Sequence, residues 1–317
     1  MHAKKLLGLG VIPLVGLALL TGCEKPSEAD TGDSTATTRT VTDVTGAKVE
    51  VPTDPQRVVT LSEQDLDSAL ALGVTPVGTV NGRGQQTPPA YLGDRASDIT
   101  IVGDVGKPTT DAIVELEPDL VLYGGAQDEQ QLDQLRELVP ATVVTYRLED
   151  DWKSAFTTIA DVLNKSDVAT DWMSEYDDTV AEAAGKLGDN AGATVSIVRW
   201  NPDGPGILLH EAFASLVVQD LGLVRPDSQQ EPGYAHTDPL SLENLPRIDA
   251  DWLFVGTLVP GSEDALSEAQ STPAFAELDA VAEEHFVEVD GTLWTSRGGP
   301  LGALMVIEDV LAALGEA

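Results

Sequence analysis

The sequence predicts an α/β protein of two lobes, each built on a parallel sheet, with a ligand cleft between the lobes. Three observations lead to this architecture. Short apolar strands alternate with helices along most of the chain, which is typical of parallel sheets. One segment of the first half recurs in the second half, and a long helical stretch lies between the two halves.

The first 22 residues have the composition of an export signal. Lys4 and Lys5 precede an apolar run over residues 6–20, which is shorter than the roughly 20 residues that cross a bilayer. Residues 20–23, Leu-Thr-Gly-Cys, resemble a bacterial lipobox, so Cys23, the only cysteine, is expected to carry a lipid anchor. A cleaved signal with a chance cysteine and an uncleaved anchor helix are the alternatives.

Residues 23–40 are expected to form a flexible tether, because they contain no aliphatic side chain larger than alanine. The whole chain has a net charge of −35, which argues against nucleic acid and anionic lipid surfaces as partners. It contains only 18 lysines and arginines. An arginine at a predicted site is therefore less easily explained by chance.

Residues 41–150 are expected to form the N-terminal lobe. Apolar residues 58–61 predict a strand, and residues 63–72 predict a helix with Ser62 as its N-cap. Residues 74–80 predict the next strand. The later stretch DAIVELEPDLVLYGG then predicts a helix, a tight turn and a buried strand.

The second lobe, residues 189–317, repeats part of the first. Its stretch LENLPRIDADWLFVG matches DAIVELEPDLVLYGG, and three pairs of positions coincide: Asp119 with Asp251, Gly124 with Gly256, and Asp111 with Glu243. The repeat predicts two Rossmann-like lobes of related topology.

Residues 151–188 connect the lobes. Four apolar residues keep a helical spacing and predict a first helix: Trp152, Phe156, Ile159 and Leu163. A second helix is expected from Ser166 to Leu187, with Gly188 as its stop. At about 1.5 Å per residue it would extend about 33 Å, which suits a single backbone helix joining the lobes.

No enzyme motif is present. The chain lacks G-x-S-x-G, H-E-x-x-H and C-x-x-C, and a lipidated Cys23 would leave no thiol nucleophile. After the predicted signal, His210, His236 and His285 are scattered rather than spaced as metal ligands. We therefore expect a binding protein without a cofactor; an extracytoplasmic enzyme on an α/β scaffold is the alternative.

Ligands of open α/β sheets lie beyond the carboxyl ends of the strands, and this rule selects the candidate binding residues. The six candidates are Arg83, Tyr123, Arg199, Trp200, Trp294 and Arg297. Each has an alternative role. Arg199 could instead pair with an acid, Trp200 could belong to a lobe core, and Arg83 could be a solvated loop residue.

The order of these parts resembles one family, the substrate-binding lipoproteins of ABC importers for ferric siderophores, haem and cobalamin. The matching phrases are VEVPTDPQRVVTL, ALALGVTPVGTV, LEPDLVLYGG, DLGLVRPDSQ, LSLENLPRIDADWLFVG and SRGGPLGALMVIEDVL. The resemblance covers about residues 41–315. The segment from SIVRWNPDG to GLVRPDSQ is most similar to the iron-siderophore branch.

The resemblance implies a monomeric receptor, lipid-anchored to the membrane outside the cytoplasm. It would pass a ferric siderophore to an ABC permease dimer with its ATPase. Ferric tricatecholates are strongly anionic and need several cations nearby, so this acidic chain favours a hydroxamate ligand. A haem or cobalamin carrier of the same fold is the alternative, with Tyr234 and His236 as minor candidates for haem ligation.

The resemblance also implies a docking role for Asp111 and Glu243. In the family, paired acids at these positions are understood to meet permease arginines, and Asp111 departs from the more usual glutamate. The alternative is that each acid lies in the first turn of a helix and complements the helix dipole, a contribution of about 0.3–1 kcal/mol.

Overall fold

Residues 37–315 are described by the computed structural model, and they form two α/β lobes. The predicted signal, Cys23 and the tether up to residue 36 lie outside the described residues. Residues 38–40, which were expected to end the tether, belong to a strand instead. Among the described residues, no helix is both long and apolar enough to cross a membrane.

The N-terminal lobe contains a five-stranded parallel sheet and two antiparallel hairpins. Its strands are β1 Thr38–Thr42, β2 Lys48–Pro52, β3 Val58–Thr60, β4 Gly78–Thr79, β5 Thr100–Ile101, β6 Gly103–Asp104, β7 Lys107–Pro108, β8 Leu120–Leu122 and β9 Thr142–Val143. The sheet has the order β5-β4-β3-β8-β9, while β1 pairs with β2 and β6 with β7. The chain moves outward from β3 to β5 and then returns to β8, so the order reverses between β3 and β8. This is the doubly wound arrangement that was predicted.

The helices of this lobe follow the expected pattern with small shifts. They are α1 Glu63–Ala71, α2 Thr110–Glu115 and α3 Glu129–Leu138, together with a 3-10 helix at Ala90–Arg95. The Ser62 hydroxyl caps α1 by accepting the Asp65 N–H at 3.0 Å. The strand expected over residues 74–80 is reduced to β4, because Pro76 in its first half has no N–H to donate to a neighbouring strand.

Two helices connect the lobes: α4 Trp152–Val162 and α5 Ser166–Ala184. The 19 residues of α5 span about 28 Å. The helix ends three residues before the predicted Leu187, since Gly185, a weak helix former, is its C-cap. Ala169 packs in a core cluster of the N-terminal lobe, whereas Tyr176 and Ala183 pack in a cluster to which the C-terminal lobe contributes most of the residues. The helix therefore joins the two lobes as predicted.

The C-terminal lobe has four strands: β10 Val195–Asn201, β11 Gly204–Ile207, β12 Trp252–Thr257 and β13 Phe286–Asp290. Its helices are α6 Phe213–Asp220, α7 Ser262–Gln270, α8 Pro273–Ala276, α9 Asp279–Ala282, α10 Gly291–Trp294 and α11 Pro300–Leu314, with 3-10 helices at Gly188–Asn190, Asp227–Gln229 and Leu242–Ile248. The sheet order is β11-β10-β12-β13, and β11 is antiparallel to β10. The expected all-parallel sheet thus has one antiparallel edge, because two residues connect β10 to β11 and only antiparallel strands can be joined so tightly.

The predicted internal repeat has the same structural role in both lobes. Asp119 precedes β8 and accepts the Arg57 N–H at 2.9 Å, just before the neighbouring strand β3. Asp251 precedes β12 and accepts the Thr194 N–H at 2.7 Å, just before the neighbouring strand β10. In each lobe one carboxylate therefore ties together the starts of the two central strands.

Candidate functional site

A cavity of about 1150 Å³ lies between the two lobes. Four of the six predicted binding residues line it: Arg83, Tyr123, Arg199 and Arg297. The N-terminal wall is formed by the residues that follow β3, β8 and β9, which is the edge where the strand order reverses. The strand-end rule therefore selected residues that line this cavity.

The two predicted tryptophans lie in the lobe core, and this corrects the sequence prediction. Trp200 follows Arg199 in β10, and neighbouring side chains of a strand point to opposite faces. Its ring is 1% exposed and meets Phe275 edge to face at 6.0 Å. Trp294 has no exposed surface; it stacks on Phe254 at 4.6 Å and donates its Nε1–H to Asp309 at 2.8 Å.

Tyrosine rings form the N-terminal wall of the cleft. Gly124 makes room for Tyr146, since a Cβ at residue 124 would lie 1.9 Å from a carbon of that ring. The Tyr123 hydroxyl donates to the side-chain oxygen of Gln131 at 2.7 Å. Burial raises the pKa of both phenols, assisted by Asp128 for Tyr123 and by Asp65 for Tyr146. Both hydroxyls therefore remain protonated at neutral pH and can donate.

Asp65 holds this wall together from beneath. Its carboxylate accepts the Gly124 N–H at 2.7 Å, the Thr145 hydroxyl at 2.5 Å and the Ser62 hydroxyl at 2.7 Å. These donors follow β8, β9 and β3 in turn. Burial raises the pKa of Asp65 to about 6, although the three hydrogen bonds oppose that rise. One acid thus fixes the ends of three strands relative to one another.

Glu63 is a site residue that the sequence analysis missed. Its side chain is 3% exposed, and its two oxygens accept the Arg83 N–H at 2.6 Å and the Ser296 hydroxyl at 2.7 Å. Ser296 belongs to the other lobe, so Glu63 bridges the floor of the cleft. It lies three residues beyond the end of β3, next to Ser62, and the strand-end rule could have selected it.

Arg199 is held by two neighbours of its own lobe. Its Nε–H donates to the Thr295 hydroxyl at 3.2 Å, and its Nη1 lies 2.8 Å from Nε2 of His236. Burial lowers the pKa of Arg199 to about 10, with Arg83 adding to the effect and Glu63 opposing it. The guanidinium therefore stays charged at neutral pH and faces the cleft in a fixed orientation.

Arg297 crosses from the C-terminal lobe to the N-terminal lobe. Its guanidinium lies over the ring of Tyr234 at 4.7 Å and donates to the Leu148 carbonyl at 2.8 Å. Tyr234 and His236 both line the cavity, although they were considered only as minor candidates for haem ligation. They lie in a loop far beyond β11, at no strand end, so the rule could not select them.

The charges that line the cavity are balanced. The arginines Arg83, Arg199 and Arg297 face the acids Glu63, Asp128 and Glu129. The last two are exposed at the start of α3, whereas Glu63 is buried between the arginines. Within residues 37–315, no group of three or more His, Cys, Asp or Glu side chains is arranged to hold a metal ion.

The predicted docking acids lie outside the cleft, one on each lobe. Asp111 is the second residue of α2, and Glu243 is the second residue of the 3-10 helix at Leu242–Ile248. Both are exposed, and neither carboxylate has a hydrogen bond or ion pair with another described residue. Their cap residues, Thr109 and Ser241, make no side-chain cap hydrogen bond.

The chain is similar to several proteins that are named for binding siderophores or their iron complexes. The probable siderophore-binding lipoprotein YfiY of Bacillus subtilis is 30% identical over 317 residues, 97% of each chain. The iron(3+)-hydroxamate-binding protein FhuD of the same organism is 26% identical over 302 residues, 91% of each chain. The crystal structure of Staphylococcus aureus SirA complexed with staphyloferrin B is 28% identical, with a TM-score of 0.76, over 87% of this chain and 98% of that one.

The model of a protein family described as periplasmic binding protein matches residues 58–293. That match runs from β3 to α10 and includes both central sheets of the cleft. It covers well over half of the chain, and the relatives above are binding proteins rather than enzymes by name. The chain belongs to the periplasmic binding protein family, and it resembles members that are named for siderophore binding.

Proposed function

We propose that this chain is the extracytoplasmic substrate-binding lipoprotein of an ABC importer and that it captures a ferric siderophore. The observation that carries the proposal is the cleft itself, where arginines from both lobes meet beside three tyrosines. Guanidinium groups suit the iron-binding oxygens of a chelator, and aromatic rings cover its apolar faces. The chelator fills the coordination shell of the iron, so the protein needs no metal ligands and no cofactor of its own.

A hydroxamate-type chelate suits this cleft better than a tricatecholate. Three arginines are matched by three acids along the cavity, and the rest of the chain is strongly acidic. A strongly anionic complex would meet no net positive charge there, whereas a neutral or cationic ferric hydroxamate avoids that electrostatic penalty. The relative FhuD is named for iron(3+)-hydroxamate binding, which is consistent with this choice.

The haem-carrier alternative receives less support from the same residues. A haem ligand must present an unshared atom to the iron. The Nε2 atom of His236 already accepts a hydrogen bond from Arg199, and the Tyr234 ring is covered by Arg297. Iron ligation by His236 would require breaking its contact with Arg199 first, whereas Tyr234 would ligate through its hydroxyl and could keep Arg297 over its ring.

Membrane anchoring and permease docking complete the proposal. Cys23 would carry the lipid, in agreement with the lipoprotein name of YfiY. Asp111 and Glu243 would meet basic residues on the two subunits of the permease, since an exposed and unpaired acid on each lobe fits a two-fold partner. The mature protein would act as a monomer on that dimer.

Fluorescence titration tests the ligand class directly. Five tryptophans give the signal, which a bound ferric chelate quenches. The purified mature protein is titrated with ferrichrome, ferrioxamine, ferric enterobactin, haem and cobalamin, with each iron-free chelator as its control. We expect a ferric hydroxamate to bind most tightly. Its complex with the protein should show a broad visible charge-transfer band.

Other outcomes of the titration point elsewhere. Tighter binding of ferric enterobactin would reverse the choice of hydroxamate. A Soret band on haem addition, without binding of any siderophore, would support the haem carrier. Chemical turnover of a bound compound would identify an enzyme.

A further inference from the structure

We infer that His236 is a positioning residue for the cleft: it orients Arg199 through its Nε2 atom and loses that ability when it is protonated. The inference rests on the proposed function, because its effect is measured through binding of a ferric chelate. It assigns to the histidine a role that is neither metal ligation nor direct contact with the ligand.

A chain of hydrogen bonds defines the state of the imidazole. Nδ1 of His236 lies 2.8 Å from the carbonyl oxygen of Thr237, which can only accept, so the ring proton sits on Nδ1. Nε2 is therefore an acceptor, and it lies 2.8 Å from Nη1 of Arg199. With the Nε–H of Arg199 directed to Thr295, two of its five N–H groups are used within the lobe. The other three remain for a ligand.

The histidine can orient the arginine because its own backbone is fixed. The Thr237 N–H donates to the Ile207 carbonyl at 2.8 Å, and the Leu209 N–H donates to the Ala235 carbonyl at 2.9 Å. These bonds attach the segment around residue 236 to the end of β11. Gly206 leaves space for the ring, since a Cβ there would lie 3.1 Å from Nδ1.

Protonation would reverse the contact. An imidazolium has an N–H at Nε2, which would face the donor Nη1 of Arg199 with two positive charges in contact. Burial lowers the pKa of His236, with Arg199 and Arg83 adding to the effect, while Asp238 and the Thr237 carbonyl oppose it. The ring is therefore neutral at pH 7. As the pH falls through this lowered pKa, Arg199 loses its acceptor and turns out of its orientation.

Two substitutions separate this role from simple packing. His236→Leu keeps most of the volume and removes the acceptor, whereas His236→Gln places an amide oxygen close to the position of Nε2 and cannot be protonated. The loss of one hydrogen bond should weaken ferrichrome binding about ten-fold in H236L. H236Q should bind within about three-fold of the unsubstituted protein. Ferrichrome is suitable because its ferric complex is uncharged.

The pH profile is the decisive measurement. Between pH 7 and pH 4.5, ferrichrome affinity of the unsubstituted protein should fall, while H236Q should show a smaller fall. The comparison cancels the titration of other acids, including Asp65. Equal pH profiles for the two proteins, or equal affinity of H236L and the unsubstituted protein, would overturn the inference.

A second measurement does not need a ligand. Nuclear magnetic resonance of the imidazole signals gives the pKa of His236 in the free protein, and Arg199→Met should raise it by removing a neighbouring cation. An unchanged pKa would refute the Arg199–His236 pair even if no chelate binds. Failure of every chelate in the panel, with the expected pKa change, would instead reject the proposed function.

Discussion

The two lobes share a topology but contribute different chemistry to the cleft. The N-terminal wall consists of tyrosine rings and backbone around Gly124, with one arginine, Arg83, whose side chain is 45% exposed. The C-terminal wall presents two less exposed arginines, Arg199 and Arg297, each held by an aromatic or imidazole neighbour. The comparison indicates that the first lobe shapes the cleft and the second supplies its oriented charge.

The difference follows from the sheets. In the N-terminal lobe every strand of the sheet is parallel, so all the loops at the cleft edge follow strand ends directly. In the C-terminal lobe β11 runs in the opposite direction, and the segment attached to its end brings Tyr234 and His236 to the cleft from a distance in sequence. This extra segment is what fixes the arginines of that side.

The largest effect, on uptake by cells, is expected from a feature that the two lobes share. Asp111 and Glu243 are exposed acids at matching positions of the two lobes, and reversing both charges, with D111K and E243K together, should abolish uptake of a radiolabelled ferric chelate by cells. Ligand affinity of the purified protein should stay nearly unchanged, because neither residue lines the cavity.

A matched double variant controls for the change in net charge. E137K with E268K also reverses one exposed acid on each lobe and should leave uptake intact. Normal uptake by the D111K and E243K variant would show that these acids only stabilise their helices.

The next largest effect, on the free energy of unfolding, is expected from replacing Trp200, which lies in the lobe core. Trp200→Ala should lower the free energy of unfolding by about 3–5 kcal/mol, as expected for an aromatic side chain removed from a packed core. The folded protein should still bind the ligand, and Trp200→Phe should be milder. Urea denaturation measures the first quantity and chelate titration the second. Loss of affinity with unchanged stability would return Trp200 to the cleft.

Two acids of helix α1 differ in whether their hydrogen bonds stay within one lobe or join the two lobes. Asp65 acts within the N-terminal lobe, whereas Asp67 accepts the Leu301 and Gly302 N–H groups at 2.8 and 2.9 Å and so joins α1 to α11 of the other lobe. Burial raises the pKa of Asp67 to about 6, against the opposing hydrogen bonds. The folded protein then keeps this proton to a higher pH than the unfolded chain does.

Because Asp67 has the higher pKa in the folded protein, its contribution to the free energy of unfolding decreases as the pH rises. Stability should fall as the pH rises from about 4 to about 6, by on the order of 2–3 kcal/mol for this group. Asp67→Asn should show a shallower fall over the same range when urea denaturation is repeated at each pH. An identical slope in both proteins would mean that Asp67 is already ionised at pH 4.

The sequence predicted the architecture better than the site. Strand alternation and the Asp119–Asp251 repeat indicate two parallel-sheet lobes, because these signals are local and are repeated along the chain. The antiparallel direction of β11 was missed, since a short strand of Gly, Pro and Ile gives no sign of its direction. The end of α5 was placed three residues too late, because a single glycine, Gly185, ends the helix within a run of residues that otherwise favours helix.

Site residues were predictable only near the carboxyl ends of strands. Tyr123 follows β8 directly, Arg83 lies a few residues beyond β4, and Arg297 follows α10. Arg199 and Trp200 both lie within the last residues of β10, and Trp200 failed because its side chain points to the opposite face. His236 was named only as a minor haem-ligand candidate, and its place beside Arg199 could not be predicted, because it depends on long-range backbone pairing that no local pattern shows.

The arginines of the two lobes are expected to contribute unequally to chelate binding. Arg199→Ala should weaken chelate binding about ten- to hundred-fold, which corresponds to about 1.5–3 kcal/mol for a charge-assisted contact. Arg83→Ala should cost less than about three-fold, since its exposed guanidinium is screened by water. Titration of both variants measures the ratio. A larger loss for Arg83 would place the charge recognition on the N-terminal lobe.

The smallest expected effect concerns movement of the lobes relative to each other. They share one core cluster, to which Leu66 and Leu92 of the first lobe contribute together with Phe213 and Val306 of the second. Arg297 donates to the Leu148 carbonyl across the cleft, and Gly84 approaches the other lobe so closely that a Cβ there would lie 2.5 Å from the Leu258 oxygen. Separation of the lobes would expose that core and break these contacts.

The continuous helix α5 adds a second restraint, because a helix resists bending more than two flexible crossover strands would. We therefore expect a largely pre-formed cleft, with only a small decrease in the radius of gyration on binding. Small-angle X-ray scattering with and without ferrichrome measures the change in the radius of gyration. The same pair of measurements on bovine serum albumin gives the experimental error. A large compaction would show that the lobes close by a hinge. In that case the wall geometry around Arg199 would describe only the closed state.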